Sequence, residues 1–432
     1  MSLLSSARRG AIALCAVVSM AAIAPAFAAE DGLPAGNFVI RPSVRADLVF
    51  DSNVYRTAPG TAEMDLGVSV RPEIQILYPG ENFRWDLAAY YRFFTFFNLG
   101  GTNHENLRVV ANFGVRTHFD VNRKGKFGFE FGPEIYNRPF NRGNGEGTER
   151  QLGVYTPLRL NIRPTSAFVI TPKVGWEWSR VYGPSLALDP SSTVFGNRHQ
   201  VGGGIALDWR FFPRSHFVFD SDVGTTLWGD ADYSGLNFAK PENGIYWRVN
   251  AGVRGDLSRK LAILAMVGYG NVYFSGNPAQ NLTGIEGLLG KVELALMPAA
   301  SQRLAIGFSR DFRFAYFANH LEETSAYFKY SGVFADRLTA GADFTYTLRN
   351  IVGSLTRLEH QLAAGVALDV AIVRWLHVGG GYRFSTLIPA AGATSGNNVD
   401  HRIVFGVTVG YKPTRSEISG GNLGNWGTSR GR

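Results

Sequence analysis

Residues 64–97 read MDLGVSVRPEIQILYPGENFRWDLAAYYRFFTFF, and their side chains alternate between apolar and polar on both sides of a turn. Even positions of 64–78 are apolar, whereas odd positions of 65–75 are small, polar or charged. After the turn at 79–82, the apolar positions are the odd ones of 85–93. This alternation indicates β-strands, because successive side chains leave a strand on opposite faces. The stretch therefore predicts a hairpin with one wholly apolar face.

The same pattern recurs along the chain to residue 411 and predicts about 18 strands, an even number as in single-chain bacterial barrels. A soluble sandwich shows the same alternation, but its apolar face points to a core. Strands this long, repeated to the end of the chain, favour an apolar face that meets lipid. Short turns alternate with longer polar connections. We therefore predict an all-β fold, a transmembrane antiparallel β-barrel with both termini in the periplasm.

Aromatic residues cluster near the predicted strand ends, as in the interfacial girdles of membrane proteins. Trp85, Trp209 and Trp375 are assigned to one rim. Trp178, Trp228 and Trp247 are assigned to the other rim. The sequence thus predicts two girdles of outward-facing rings.

The two ends of the chain are predicted to lie outside the barrel. Residues 1–28 read as a signal peptide, with Arg8 and Arg9 before an apolar run and a small-residue cleavage site at 26–28. A membrane-anchor helix is the alternative, but the run is short and contains Pro25. Residues 29–411 form the predicted barrel. Residues 412–432 are rich in Gly, Ser and Asn and predict a disordered basic periplasmic tail.

The composition argues against several classes of protein. The formal net charge is +8, but the basic residues are dispersed through the strands, so no nucleic-acid partner is predicted. The one cysteine, Cys15, lies in the signal peptide, which excludes thiol chemistry from the mature chain. The histidines are scattered without metal-ligand spacing. We therefore predict no catalytic residues, no metal, no cofactor and no enzymatic activity.

The inward positions decide what such a barrel does, since lipid-facing positions need only be apolar. The charged residues assigned to the lumen path are Arg41, Arg45, Arg71, Glu73, Arg84, Asp86, Arg92, Arg108, Arg116, Glu134, Arg159 and Arg248, and the aromatic ones are Tyr90, Tyr136, Tyr155, Tyr246 and Tyr327. Two interpretations stay open for each of them. One is an ion-pair lattice that stabilises the wall, and the other is a path that contacts a solute.

Two short motifs carry a resemblance to a known family. Residues 51–55 read DSNVY directly after the first predicted strand, and residues 70–76 read VRPEIQI. With these motifs the chain resembles the outer-membrane β-barrel porin families of Gram-negative bacteria that often accompany exopolysaccharide gene clusters. The resemblance implies a barrel that serves a periplasmic polysaccharide-export protein. It also implies the exported polymer as a second partner.

Three functional hypotheses follow for a barrel in the outer membrane of a Gram-negative bacterium. The first is a conduit for the export of a polysaccharide. The second is a diffusion porin for the uptake of small solutes, and the third is a closed structural barrel. The lipid bilayer and the barrel-assembly machinery are predicted partners in every case.

Overall fold

A computed structural model describes residues 32–53, 62–97, 112–141, 146–182, 194–229, 241–275, 286–314, 320–352, 357–389 and 398–411. The predicted signal peptide and basic tail lie outside these residues. The strands are β1 (Leu33–Ala35), β2 (Phe38–Asp51), β3 (Asp65–Pro79), β4 (Phe83–Phe96), β5 (Asn112–Val121), β6 (Phe127–Phe131), β7 (Glu134–Asn141), β8 (Glu146–Thr165), β9 (Phe168–Tyr182) and β10 (Val194–Phe212). The chain continues with β11 (Ser215–Trp228), β12 (Gly244–Asp256), β13 (Leu261–Phe274), β14 (Glu286–Leu296), β15 (Gln302–Phe314), β16 (His320–Phe334), β17 (Leu338–Val352), β18 (Arg357–Val373), β19 (Leu376–Pro389) and β20 (Asn398–Gly410).

The strands form one closed antiparallel sheet. Strand β2 pairs with β3 on one edge and with β20 on the other, so that Asp47 lies opposite both Ser69 and Gly406. The successive strands β6 and β7 together occupy the place between β5 and β8, and β1 pairs along β2. The barrel therefore has 18 strands around its wall. This confirms the predicted fold class.

The break between β6 and β7 has a local cause. It falls at Gly132 and Pro133, and proline has no N–H to donate to a ladder. The neighbouring strands still bond to the break, since Thr117 N–H donates to the Pro133 carbonyl over 2.9 Å and Gly132 N–H donates to the Pro157 carbonyl over 3.3 Å. The wall is therefore continuous although the strand is interrupted.

The outside of the barrel is an apolar band. Large apolar side chains are exposed on one face of the strands around the wall, among them Leu48, Ile74, Phe93, Val115, Val174, Ile205, Val223, Val253, Val267, Val292, Ile306, Phe344, Val366 and Phe405. Their neighbours in sequence, such as Asp47, Glu73 and Asp222, lie on the opposite, inner face. A closed barrel that is apolar outside and polar inside satisfies its backbone hydrogen bonds in lipid. The prediction of a transmembrane β-barrel is thereby confirmed.

The barrel has two distinct ends. Short turns such as 80–82, 122–126 and 257–260 connect strands at one end, called here the short-turn end. The connections at the other end, the long-loop end, contain the longer stretches of sequence that lie outside the described residues. Strand β2 begins and β20 ends at the short-turn end, where Ser43 lies opposite Gly410. Which end faces the periplasm stays a prediction. Among the described residues, no helix is long and apolar enough to cross a bilayer.

Val366 and Ala367 of β18 allow a test of which face meets lipid. Val366 is 54% exposed on the outer face, and Ala367 lies beside it on the inner face opposite Gly341 and Gly381. The change Val366→Arg is expected to destabilise the folded barrel by about 2–4 kcal/mol, because it places a cation in the hydrocarbon. Ala367→Arg, at the same depth, is expected to cost much less. Urea titration of folding into vesicles measures both, and equal losses would contradict the assigned faces.

Candidate functional site

The candidate site is the inner face of the wall, where polar side chains from neighbouring strands meet. On β2 and β3, Arg45 pairs with Asp47 over 2.7 Å, and Ser69 donates a hydrogen bond to the same carboxylate over 3.2 Å. Arg71 pairs with Glu73 over 2.9 Å, and the Arg71 guanidinium lies 4.3 Å from the centre of the Tyr90 ring. The residues meet because cross-strand partners project from the same face.

A second polar group spans β7 to β10 around Glu177. Its carboxylate accepts hydrogen bonds from Arg198 over 2.7 Å, from Ser179 over 3.3 Å and from the Tyr136 hydroxyl over 3.4 Å. The Arg138 guanidinium covers the Tyr136 ring at 4.1 Å. A charged carboxylate held by three donors has a fixed position, so this part of the wall presents a fixed set of polar atoms.

A third group forms a ladder of alternating charge across β9, β11 and β12. Lys173 lies 2.7 Å from Asp220 and 2.8 Å from Asp222, and Arg248 pairs with Asp222 over 3.1 Å. Arg248 also reaches Asp311 of β15 over 3.4 Å. The pairs neutralise one another locally, so this stretch of the inner face carries charge of both signs at close spacing.

Two smaller polar groups lie elsewhere on the inner face. Near the short-turn end, His216 Nδ1 lies 2.5 Å from Asp208, which also pairs with Arg254. On β14 to β16, Glu293 accepts a hydrogen bond from the Tyr327 hydroxyl over 2.6 Å and pairs with Arg303 over 2.7 Å. Among the described residues, no three His, Cys, Asp or Glu side chains are grouped to hold a metal ion.

The strand register places the predicted lumen residues as follows. On the inner face are Arg41, Arg45, Arg71, Glu73, Arg84, Asp86, Tyr90, Arg92, Arg116, Glu134, Tyr136, Tyr155, Arg159, Tyr246, Arg248 and Tyr327. Arg108 lies outside the described residues. Several of them, such as Arg45, Arg71 and Arg248, belong to the separate polar groups of the wall, whereas Tyr246 packs in an apolar group. Contact between these residues and a solute stays a prediction.

Tyr246 belongs to an apolar group at the long-loop end of the inner face, called here the mouth cluster. The mouth cluster consists of Val181, Trp228, Tyr246, Val272, Leu289, Phe312 and Phe314, with Phe274 packed against it. All of these seven side chains are at most 8% exposed. The cluster contrasts with the charged wall and covers the inner face of β11 to β14 at this end.

Phe312 and Phe314 join the mouth cluster from an unexpected direction. In β15, Phe308 is exposed on the outer face, and alternation would put Phe312 and Phe314 on that face too. Instead, the Phe314 ring packs on the inward Tyr246 with ring centroids 5.6 Å apart. A Phe312 ring atom lies only 2.7 Å from where a Cβ would stand on the inward Gly270. The side chains that alternation assigns to the outer face of this strand end therefore pack on the inner face of β12 and β13.

The ladder between β14 and β15 ends where this change begins. Gly290 and Arg310 form its last pair, whereas β15 stays paired with β16 as far as Phe314 and His320. Within the described ranges, no ladder pair joins 286–289 to 311–314. The hairpin thus leaves the wall beyond Arg310 and leans into the mouth. We call 311–314 with 320–323 the inturned hairpin end.

His320 marks where the inturned hairpin end packs most tightly. Its ring stacks on Phe274 with centroids 5.6 Å apart and planes inclined by 10°. It lies opposite both Phe314 and Val352 in the ladder, and the residue is 1% exposed. The contact fixes the start of β16 against β13, although β14 and β15 lie between these two strands in the wall.

Sequence reasoning missed this feature and misassigned one residue of it. Trp228 was predicted in an outer girdle, but the register puts it on the inner face of β11, where the mouth cluster buries it. Phe312 and Phe314 follow the outward alternation, so the pattern gives no sign that they turn inward. A possible signal is Gly244 and Gly270, since each leaves room for a phenylalanine ring.

Arg116 offers a direct test of whether the inner face lines the conducting path. It is exposed on the inner face, opposite Glu134 and Ala88. The change Arg116→Glu is expected to shift the zero-current potential in a salt gradient towards cation preference, since the wall charge becomes more negative. Arg116→Gln is expected to give about half of that shift. An unchanged potential in both variants would exclude Arg116 from the path.

Comparisons with known proteins bear on the fold alone. No protein-family model and no curated protein matches this sequence. OpdK of Pseudomonas aeruginosa, crystallised with vanillate, is 10% identical with a TM-score of 0.47 over 86% of this chain and 99% of its own. OccAB2 of Acinetobacter baumannii is 12% identical with a TM-score of 0.47 over 88% and 100%. The ferric enterobactin receptor PfeA of Pseudomonas aeruginosa, in a mutant form, is 9% identical with a TM-score of 0.46 over 88% and 81%.

These likenesses are to outer-membrane porins and receptors. They give no support to the polysaccharide-export association that the DSNVY and VRPEIQI motifs imply.

Proposed function

We propose that this outer-membrane β-barrel channel passes small polar solutes, and that the inturned hairpin end limits passage at the long-loop end. The charged groups of the wall supply polar contacts to a solute that has shed part of its water. Because cations and carboxylates alternate at close spacing, such contacts are weak enough to release the solute again.

The observation that carries this proposal is the contrast between the polar wall and the mouth cluster. Along the wall, Lys173, Asp222 and Arg248 form a charged ladder. At the mouth, Phe312 and Phe314 bring apolar rings from the outer face onto the inner face. Apolar rings that close over the end of a polar wall exclude water and narrow the mouth there.

The narrowing is reversible in this proposal, because the hairpin end has an alternative position in the wall. If the β14–β15 ladder continued in its present register, Leu288 would face Phe312 and Glu286 would face Phe314. That position adds backbone hydrogen bonds between the two strands. It also exposes the inward members of the mouth cluster to water, which opposes it. In this proposal the gain in backbone hydrogen bonds offsets the loss of apolar burial, so the hairpin end can move between the two positions and the channel can open.

Small-solute uptake is favoured over export of a polymer for the same reason. A polysaccharide would hold the mouth open along its whole passage, so the inward position of Phe312 and Phe314 would serve no purpose during transport. A small solute needs the mouth open only briefly. The apolar mouth therefore supports the diffusion hypothesis better than the export hypothesis.

Liposome swelling with the purified full-length protein tests this function. Uncharged mono- and disaccharides are expected to cause swelling, whereas long oligosaccharides of the same composition are not. Vesicles without protein give the baseline. Swelling in long oligosaccharides at the same rate would favour a polymer conduit. No swelling in any solute, together with no single-channel current, would mean a closed structural barrel.

A further inference from the structure

The turns of the short-turn end are unequally charged. Exposed Lys and Arg side chains cluster in the turns from β5 to β6, from β10 to β11 and from β12 to β13. These cations, called here the basic rim, are Arg123, Lys124, Lys126, Arg214, Arg259 and Lys260. The strand order makes these turns near neighbours along one arc of the barrel, with the β8–β9 turn between the first two.

The carboxylates near the basic rim are few. Arg123 lies 3.4 Å from Asp120, and Lys124 lies 3.8 Å from Glu81. Asp256 is exposed beside the β12–β13 turn. Lys124 and Glu81 have side chains that are 74% and 85% exposed, so water screens their attraction. The arc therefore keeps a net positive charge that its own carboxylates do not cancel.

Apolar side chains at the membrane boundary accompany the basic rim. Phe127 follows Lys126 directly and is 61% exposed. Phe212 lies two residues before Arg214 and is 64% exposed, and Leu257 lies two residues before Arg259 and is 62% exposed. Each turn thus presents an apolar group and a cation side by side on the outside of the barrel.

The turns are also held in place relative to one another. Arg163 of the β8–β9 region donates a hydrogen bond to the Gly125 carbonyl over 3.0 Å, and Arg210 donates to the Ser166 carbonyl over 3.3 Å. Asn122 caps its own turn by donating to the Phe127 carbonyl over 2.6 Å. The cations therefore project from a connected surface of fixed shape.

We propose that the basic rim binds the phosphate groups of anionic phospholipids in the leaflet that borders the short-turn end. Such a lipid carries an acyl region and an anionic headgroup in one molecule. Phe127, Phe212 and Leu257 contact the acyl region, while the neighbouring Lys and Arg side chains reach the phosphates. An acidic protein segment would match the cations but not the exposed apolar groups, so the lipid fits the surface better. Through these contacts the basic rim fixes the depth of this side of the barrel in the bilayer and the tilt of the barrel axis.

Lipid selectivity measured by electron spin resonance tests the proposal on the full-length protein in phosphatidylcholine vesicles. Spin-labelled phosphatidylglycerol is expected to associate with the protein several-fold more strongly than spin-labelled phosphatidylcholine at low salt. The combined change Lys124→Gln, Lys126→Gln, Arg214→Gln, Arg259→Gln and Lys260→Gln is expected to remove that preference. Equal association of the two lipids with the unchanged protein would overturn the proposal.

A matched pair of double variants controls for net charge. Arg259→Gln with Lys260→Gln removes two cations from the basic rim, whereas Arg337→Gln with Arg374→Gln removes two from turns on the other side of the barrel. Only the first pair is expected to weaken the phosphatidylglycerol preference. Equal weakening by both pairs would mean a diffuse charge effect and would overturn the assigned surface.

Two competitors distinguish the lipid from other anions. Inorganic phosphate at constant ionic strength is expected to leave the phosphatidylglycerol preference unchanged. If phosphate displaced the lipid, the basic rim would be a site for free phosphate instead. A polyglutamate peptide is expected to compete weakly. If the peptide bound strongly through the basic rim and the protein showed no preference for phosphatidylglycerol, the occupant would be an acidic protein.

Discussion

Replacing Gly270 by leucine is expected to increase the conductance of the reconstituted channel. A Cβ at this inward position would stand 2.7 Å from a Phe312 ring atom and 2.9 Å from Leu289 Cδ1, so the larger side chain needs the space that the hairpin end occupies. Overpacking of this kind costs about 1–3 kcal/mol. The part of this cost that comes from Phe312 arises only in the inturned position, so it shifts the equilibrium towards the wall position by up to about 150-fold. Single-channel recording in a planar bilayer measures the result as longer or larger openings.

Gly287 supplies the control for this experiment. It faces Gly270 in the β13–β14 ladder, and a Cβ placed there meets nothing within 4 Å. Gly287→Leu is therefore expected to leave the conductance unchanged. Similar currents in both variants and in the unchanged protein would contradict the role of the inturned hairpin end as a gate. A thermal unfolding curve for each variant shows that the barrel is intact.

A disulfide between residues 288 and 312 is expected to form if the hairpin end visits the wall. In the continued register, Leu288→Cys and Phe312→Cys stand directly opposite each other on the outer face. Their Cα atoms would then be about 4.5–5.5 Å apart, within the range that a disulfide spans. In the inturned position, Leu288 is 67% exposed outside while Phe312 is buried inside, so the two cannot meet. Mass spectrometry after mild oxidation measures the bond, and the cross-linked channel is expected to stay open until a reductant is added.

Two further cysteine pairs calibrate this measurement. Val292 and Phe308 are register partners in the present structure, so the pair Val292→Cys and Phe308→Cys is expected to cross-link in every molecule. The pair Leu288→Cys and Phe308→Cys is out of register and is expected to stay reduced. Cys15 is the only natural cysteine, and it lies in the predicted signal peptide. If only the Val292 and Phe308 pair reacts, the wall position is not visited and the gate is excluded.

The sequence was a good guide to the wall and a poor guide to the ends of its strands. Alternation at residues 64–97 predicted the pairing of β3 with β4 and the inward positions of Arg71 and Tyr90, which meet at 4.3 Å. In β15, apolar residues alternate with small ones only over 304–308, whereas the strand runs from Gln302 to Phe314. The last four residues of the strand, 311–314, are those that leave the wall. A period-two pattern reports faces of a strand, but it does not report that a strand bends across its neighbour.

The sequence by itself determined the fold class, the apolar exterior and the inward set of charged residues, because each strand face has to match either lipid or water along its whole length. Only the tertiary structure decided which inward charges meet, such as Lys173 between Asp220 and Asp222, since these pairs join different strands. It also decided that the mouth is lined by apolar rings. That outcome depends on contacts of Phe312 and Phe314 with strands that lie far from them in the sequence, where local alternation carries no information.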